Sequence, residues 1–126
     1  MTAPTLNTFS LETAQEVERE SHGRIKIEST LEVPVDTVPS LLRDHDRATP
    51  ELLTLDVEGL DMAVLRTLPL WPGLPVVICV ETVSYSESGH GRKDPAIEEL
   101  LHDLGYLPLA DTYHNTIFVQ SSRWLR

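Results

Sequence analysis

Asp56 and Glu58 close an apolar run, Leu52-Leu53-Thr54-Leu55, and Gly59 follows them at once. Side chains alternate along a strand, so Leu53, Leu55 and Val57 fall on one side and Leu52, Thr54 and Asp56 on the other. A strand apolar on nearly both sides is expected inside a sheet covered on two faces. Its carboxyl end then carries two acids, and open α/β sheets bind their ligands at that edge. Two more segments end in the same way. Val76-Val77-Ile78-Cys79-Val80 runs into Glu81 and Thr82, and Tyr106 to Ala110 runs into Asp111, before Thr112-Tyr113-His114-Asn115. Polar side chains gathered beyond apolar strands make this edge the default site, with Asp56, Glu58, Glu81, Thr82, Asp111, His114 and Asn115 as its candidate residues.

Each of these residues has a plainer reading too. Asp56 could end a strand and cap the next helix, Glu58 could bond backbone amides at the turn, and Glu81 could pair with a nearby base. Asn115 could merely hold a hairpin. Gly59 reads as a backbone device, for positive φ or close approach. Asp56, Glu58, Asp61 and His114 would make an oxygen-rich metal site, but no ligand motif accompanies them. Gly-Xaa-Ser-Xaa-Gly is absent, and no Ser–His pairing can be read off.

The elements that must position this edge are legible from caps and periodicity. Ser10 can cap a helix running to about Ser21, stopped by His22-Gly23. Partial alternation through Ile25, Ile27, Leu31, Val33 and Val35 predicts strand within 25–35, with Pro34 at an edge or end. Asp36 or Thr37 can cap a short helix carrying Val38, Leu41 and Leu42, with Pro39 in its first turn. The strand at 52–57 comes next, then a helix from Asp61 with Val64, Leu65 and Leu68 inward. The strand at 76–80 follows a stretch broken by Pro69, Pro72, Gly73 and Pro75. Residues 84–94 read as a polar loop of the kind that grips a ligand. Pro95 opens a helix closed by Gly105, and strands at 106–110 and 116–120 flank a turn. Alternating helix and strand imply right-handed crossovers and a mostly parallel sheet. The five-residue turn before the last strand joins only antiparallel neighbours.

Composition bounds the rest. The chain has 126 residues, 40 % apolar and 24 % charged, which suits one small domain, residues 1–126, with a real core. A formal charge of −10 argues against broad contact with nucleic acid or anionic membrane. The single cysteine, Cys79, is expected to be a buried strand residue, and without a second cysteine no intramolecular disulfide forms, which fits a cytoplasmic setting. No apolar run approaches the roughly 20 residues of a membrane span, and the first residues lack the basic and apolar regions of a signal peptide.

Taken in order, these segments resemble the FkbM family of S-adenosylmethionine-dependent methyltransferases. Leu53-Thr54-Leu55-Asp56-Val57-Glu58-Gly59, with Asp61 and Val64-Leu65 after it, is similar to the family's hallmark. Leu6-Asn7-Thr8-Phe9-Ser10 resembles its first helix start, and Val33-Pro34-Val35-Asp36-Thr37-Val38 with Leu41-Leu42 the strand and helix before the central strand. Pro75 to Glu81 resembles the next strand. Leu104-Gly105-Tyr106 and Asp111 through Asn115-Thr116-Ile117-Phe118-Val119 resemble the closing helix and hairpin.

The resemblance implies an α/β, Rossmann-like methyltransferase fold with a final antiparallel strand. It implies methyl transfer from S-adenosylmethionine to oxygen on a carbohydrate-like or natural-product acceptor. Asp56 and Glu58 would be catalytic, with Asp56 orienting the acceptor hydroxyl or taking its proton. Glu81, Thr82, Asp111, His114 and Asn115 would contact the acceptor, and Asp56 and Gly59 would lie against the donor. The chain departs from the family at its start. The strand and glycine-rich turn that hold the donor's methionine part, and the strand that binds its ribose, have no counterpart here. The expectation is therefore the C-terminal portion of such a domain, with the N-terminal cofactor-binding strands missing. The alternative is a non-catalytic α/β module that pairs its exposed sheet edge with another chain or with a copy of itself.

Overall fold

A computed structural model describes residues 8–45, 48–57, 59–83 and 93–124 of the chain. Helix α1, Leu11–Glu20, starts where the Ser10 hydroxyl accepts the Thr13 N–H at 3.1 Å. It stops where His22 and Gly23 take φ values of 52° and 80°. Helix α2, Val38–Asp44, is capped by Thr37 in the same manner and carries Pro39 in its first turn, where no N–H is needed. Between them the predicted strand does not form, and residues 26–37 hold neither helix nor strand. The alternating pattern is there, but a strand exists only when a neighbour takes its ladder of hydrogen bonds, and no described segment does so.

From residue 52 onward the expected order appears. Strand β1, Leu52–Leu55, is followed by helix α3, Asp61–Leu65, and a 3-10 turn at Leu68–Leu70. Strand β2, Val77–Glu81, precedes helix α4, Pro95–Asp103, which the Asp94 carboxylate caps through the Ala96 N–H at 2.9 Å. Strands β3, Tyr106–Asp111, and β4, Asn115–Gln120, form the hairpin, and a last turn of helix, α5, spans Ser121–Trp124.

The sheet order is β1-β2-β4-β3. β1 and β2 are parallel, and β4 lies antiparallel to both of its neighbours, β2 and β3. Three strands thus run one way and the final one runs against them. Because β4 is inserted between β2 and β3, only one neighbouring pair is actually parallel.

Leu55, Ile78, Val80 and Phe118 enter a single core with Leu65, Leu68, Trp71, Ile97, Leu101 and Tyr106. Val38 and Leu42 of α2 pack against its margin. Burial of each such large side chain contributes about 1.5–3 kcal/mol. The Tyr106 hydroxyl donates to the carbonyl of Pro75 inside this core, tying the start of β3 to the approach to β2. Two expectations are corrected here. β1 is not covered on both faces: the core takes Leu55, while Leu52 and Thr54 are exposed. Cys79 shares the face opposite the core and is half-buried rather than buried. Both follow from one cause, since the core-forming helices meet the sheet through the same face as Leu55, Ile78, Val80 and Phe118.

Candidate functional site

Strand register decides which polar residues can meet. Leu55 is level with Val80, and Glu81 with Asn115. Asp56 follows Leu55 directly, so Asp56, Glu81 and Asn115 occupy one row across β1, β2 and β4. Side-chain alternation turns that row away from the core that holds Leu55 and Val80. Asp56 is exposed, and Glu81 and Asn115 are half-buried. Glu58 lies outside the described residues, as do residues 84–92 of the predicted loop, with Tyr85 and His90.

Gly59 has φ +95°, and a Cβ there would meet nothing within 4 Å. Its role is the left-handed turn out of β1, the backbone use that its type suggested. Asp61 begins α3 and is buried, and its Oδ1 has no hydrogen-bond partner among the described residues. A buried carboxylate oxygen without a donor is costly and calls for a reason.

The hairpin is built differently. Asp111 accepts the Tyr113 N–H at 2.8 Å and forms an ion pair with Lys93. The Lys93 ammonium holds the Asp111 carboxyl below its usual carboxylate range, and the Tyr113 N–H adds to this. The Asn115 carbonyl accepts both the Thr112 N–H, at 2.9 Å, and the Thr112 hydroxyl, at 3.0 Å. Tyr113 sits at φ 77°, rare for a bulky residue, and the His114 ring meets its ring edge-on at 5.0 Å. Both rings are exposed.

Thr82 points inward. Its hydroxyl shares a 2.8 Å hydrogen bond with that of Thr116, and both residues are buried. Its backbone extends the sheet: Thr82 N–H donates to His114 C=O at 2.9 Å, and Asp94 N–H donates to Thr82 C=O at 2.8 Å. Val83 and Lys93 form an antiparallel bridge just beyond. Val83 and Lys93 are therefore held side by side, which sets Lys93 beside Asp111 and within 3.4 Å of the Thr116 hydroxyl. The sequence reading does not single out Lys93. The available signal was the Arg92-Lys93 pair just before the Asp94-Pro95 helix start, meaningful only once Val83 and Lys93 are known to pair.

The edge thus gathers two groups. Asp56, Glu81 and Asn115 share a row, with Asp61 following β1; Asp111 and Lys93 lie on the β3 side with Tyr113 and His114. Among the described residues two shallow concavities lie away from these groups, one at Glu51, Leu52, Val76, Val77 and Arg123, the other along α4 at Pro95, Glu98, Glu99, His102 and Asp103. Among the described residues no cluster of three or more His, Cys, Asp or Glu could hold a metal ion, and no helix is long and apolar enough to cross a membrane.

Residues 3–108 match the family described as the methyltransferase FkbM domain, more than four-fifths of the chain. The matched part holds β1, β2 and the Asp56–Asp61 turn, and ends within β3, so the hairpin residues Asp111 to Asn115 lie beyond it. No curated protein and no solved structure gives a significant match. The acids at the end of β1, the glycine turn that follows them and the extent of the match agree: this chain belongs to the FkbM methyltransferase family.

Proposed function

We propose that this chain serves methyl transfer from S-adenosylmethionine to an oxygen of a carbohydrate-like or natural-product acceptor, in the cytoplasm. On this reading the four strands are the later part of a Rossmann-like sheet, and the acceptor lies against the row Asp56–Glu81–Asn115. The supporting observation is the row itself, which puts the polar side chains of Asp56, Glu81 and Asn115 on one face where β1 and β2 end, with Asp61 following β1 in the chain. Asp56 is the exposed carboxylate of the row and takes the role of orienting the acceptor hydroxyl and receiving its proton. Glu81 and Asn115 shape the acceptor's position from the neighbouring strands. The unpartnered Asp61 oxygen suits a hydrogen-bond donor brought by a ligand.

The donor itself is a poorer fit to the described residues. Asp56 and Gly59 offer an acceptor and open space, and the two concavities given by the described residues lie at other edges. No step is therefore assigned to the donor's own contacts.

Two measurements test the reading. Transfer of labelled methyl from S-adenosylmethionine to hydroxyl-bearing acceptors is expected to fall about 100-fold or more in Asp56→Ala. Unchanged turnover would remove Asp56 from the chemistry. Calorimetric titration with S-adenosylhomocysteine is expected to saturate at one site per chain. No saturable binding and no methyl transfer would overturn the enzymatic reading for this chain.

A further inference from the structure

Tyr113 sits in a strained backbone conformation. At φ 77° it lies in the left-handed region, which glycine enters freely and a bulky residue seldom enters. Hydrogen bonds on both sides keep it there. Its N–H donates to Asp111 Oδ1 at 2.8 Å, and the Asn115 carbonyl accepts both the N–H and the hydroxyl of Thr112. The Lys93 ammonium pairs with the same Asp111 carboxylate. The ring gains no burial in return: it is 50 % exposed and lies outside the core, with the His114 ring meeting it edge-on. A strained residue held in place by its surroundings, with its side chain presented to solvent, points to a contact made outside the fold.

The turn that carries this ring borders the row of Asp56, Glu81 and Asn115. Asn115 is two residues on, and the His114 carbonyl accepts the N–H of Thr82, the residue after Glu81, at 2.9 Å. β1, β2 and β4 are successive strands of the sheet. Neighbouring strands lie about 4.8 Å apart, so the row spans roughly 10 Å from Asp56 to Asn115. Tyr113 lies beyond its β4 end. The groups along this line have different chemistries. The carboxylates accept hydrogen bonds, and the Asn115 carboxamide both accepts and donates, so these three suit hydroxyls. The negative face of the Tyr113 ring suits C–H groups instead.

We propose that Tyr113 binds the methyl acceptor, and that this acceptor is a sugar of at least two rings. One ring presents a hydroxyl to Asp56, and the other lays its C–H face on Tyr113. A pyranose carries both surfaces, hydroxyls around its rim and C–H groups on its faces. A single ring is shorter than the row and does not reach from Asp56 to Tyr113. Contact at the far ring supplies binding remote from the reacting oxygen and selects which hydroxyl meets Asp56. This role rests on the acceptor reading proposed above, and adds to it the acceptor's length and the side chain that measures it.

Ligand length and the residue at 113 are varied together, and binding to the full chain is followed by NMR of the tyrosine rings. Maltose, cellobiose and lactose are titrated beside methyl glucoside and methyl galactoside. The Tyr113 signals are identified by their loss in Tyr113→Phe. At least one disaccharide should shift them saturably and bind about fivefold or more tightly than the methyl hexosides. Tyr113→Phe should keep that preference, because the aromatic face remains. Tyr113→Gly should abolish it without lowering the urea midpoint, since glycine takes this φ freely. The proposal is overturned by a preference that survives in Tyr113→Gly, by sugars that bind without moving the Tyr113 signals, or by no sugar binding at all. Methyl transfer to an acceptor whose binding ignores residue 113 would sink this role alone. Disaccharide binding through Tyr113 without any methyl transfer would sink the enzymatic reading and leave the sugar site standing.

Discussion

The sheet has two outer strands, and they are finished in different ways. β3 carries Pro108, which has no N–H to offer, and a bulge between Pro108 and Ala110. Its start is tied inward by the Tyr106 hydroxyl, and its end carries the Asp111–Lys93 ion pair. These are the devices by which proteins keep an edge from pairing. β1 has none of them. It is short, uncharged within Leu52–Leu55, and anchored to the core by Leu55. One edge of the sheet is thus guarded by proline, bulge and ion pair, and the other only by its shortness. The acids of the candidate site follow the second kind of strand.

The largest expected effect breaks the comparison at its anchors. Tyr106→Ala should cost about 3–5 kcal/mol, because it empties a fully buried site. Leu55→Ala should cost about 2 kcal/mol, at the low end for its type, since an edge strand can relax around the loss. Urea unfolding with m unchanged measures both. A greater cost at Leu55 would mean that β1, not β3, is the better-held outer strand.

The Tyr106 hydroxyl sharpens the same contrast through pH. Burial pushes its pKa from 10.0 up to about 12, opposed in part by a hydrogen bond with Gln120. The folded state thus holds the phenol proton more tightly than the unfolded chain. The stability it adds is fully present below pH 10 and is lost as pH rises from 10 through about 12. That rise corresponds to about 2–3 kcal/mol. Tyr106→Phe should flatten this alkaline loss while costing about 1–3 kcal/mol at neutral pH for the unpaired Pro75 carbonyl. An alkaline profile that is the same in Tyr106→Phe would assign the loss to another group.

How much of this was legible in the sequence depends on how local each cause is. Ser10 and Thr37 cap helices through bonds spanning three residues, and their helices begin where the caps predict; the helix opened by Pro95 also begins as expected, with Asp94 as its cap. The apolar runs of β1 and β2 and the hairpin are set by short-range pattern and turn length. Residues 25–35 carry an equally clear alternation and yet form no strand, because the ladder that defines one must come from elsewhere. The register row Asp56–Glu81–Asn115 was legible as two strand ends and a hairpin residue at one edge, but not as a row. The inward turn of Thr82 depends on Thr116, 34 residues away. The placing of Lys93 beside Asp111 depends on the Val83–Lys93 bridge, and nothing local announces it.

A smaller effect compares the glycines that join these outer strands to their helices. Gly59 follows β1 at φ +95°, and Gly105 precedes β3 at φ +85°. A Cβ would meet nothing within 4 Å at either position, so only the backbone conformation is at issue. Gly59→Ala and Gly105→Ala should each cost about 1–2 kcal/mol. Gly59→Ala should also disturb the site, because its turn lies between Asp56 and Asp61. Stability and S-adenosylhomocysteine affinity measured together separate the two: both variants lose similar stability, and only Gly59→Ala loses affinity. Equal affinity loss in both would detach the site from β1.

The smallest effect lies at the protected end of β3. The Asp111 carboxyl is held below its usual range, first by Lys93 and then by the Tyr113 N–H. For a depressed acid the stabilisation is present above the unfolded pKa and is lost as pH falls through the folded one. The pair is largely exposed, so salt and water screen it and global stability should barely change in Lys93→Met. The change should instead be local. The Asp111 carboxyl, followed by carbon-detected NMR, should titrate at higher pH in Lys93→Met, and at low pH the Tyr113 N–H should lose protection from exchange. Tyr113 at φ 77° keeps its conformation partly because Asp111 accepts that N–H. If the Asp111 titration stays in place without the Lys93 ammonium, the ion pair does not hold the hairpin, and Pro108 and the bulge alone distinguish the β3 edge from that of β1.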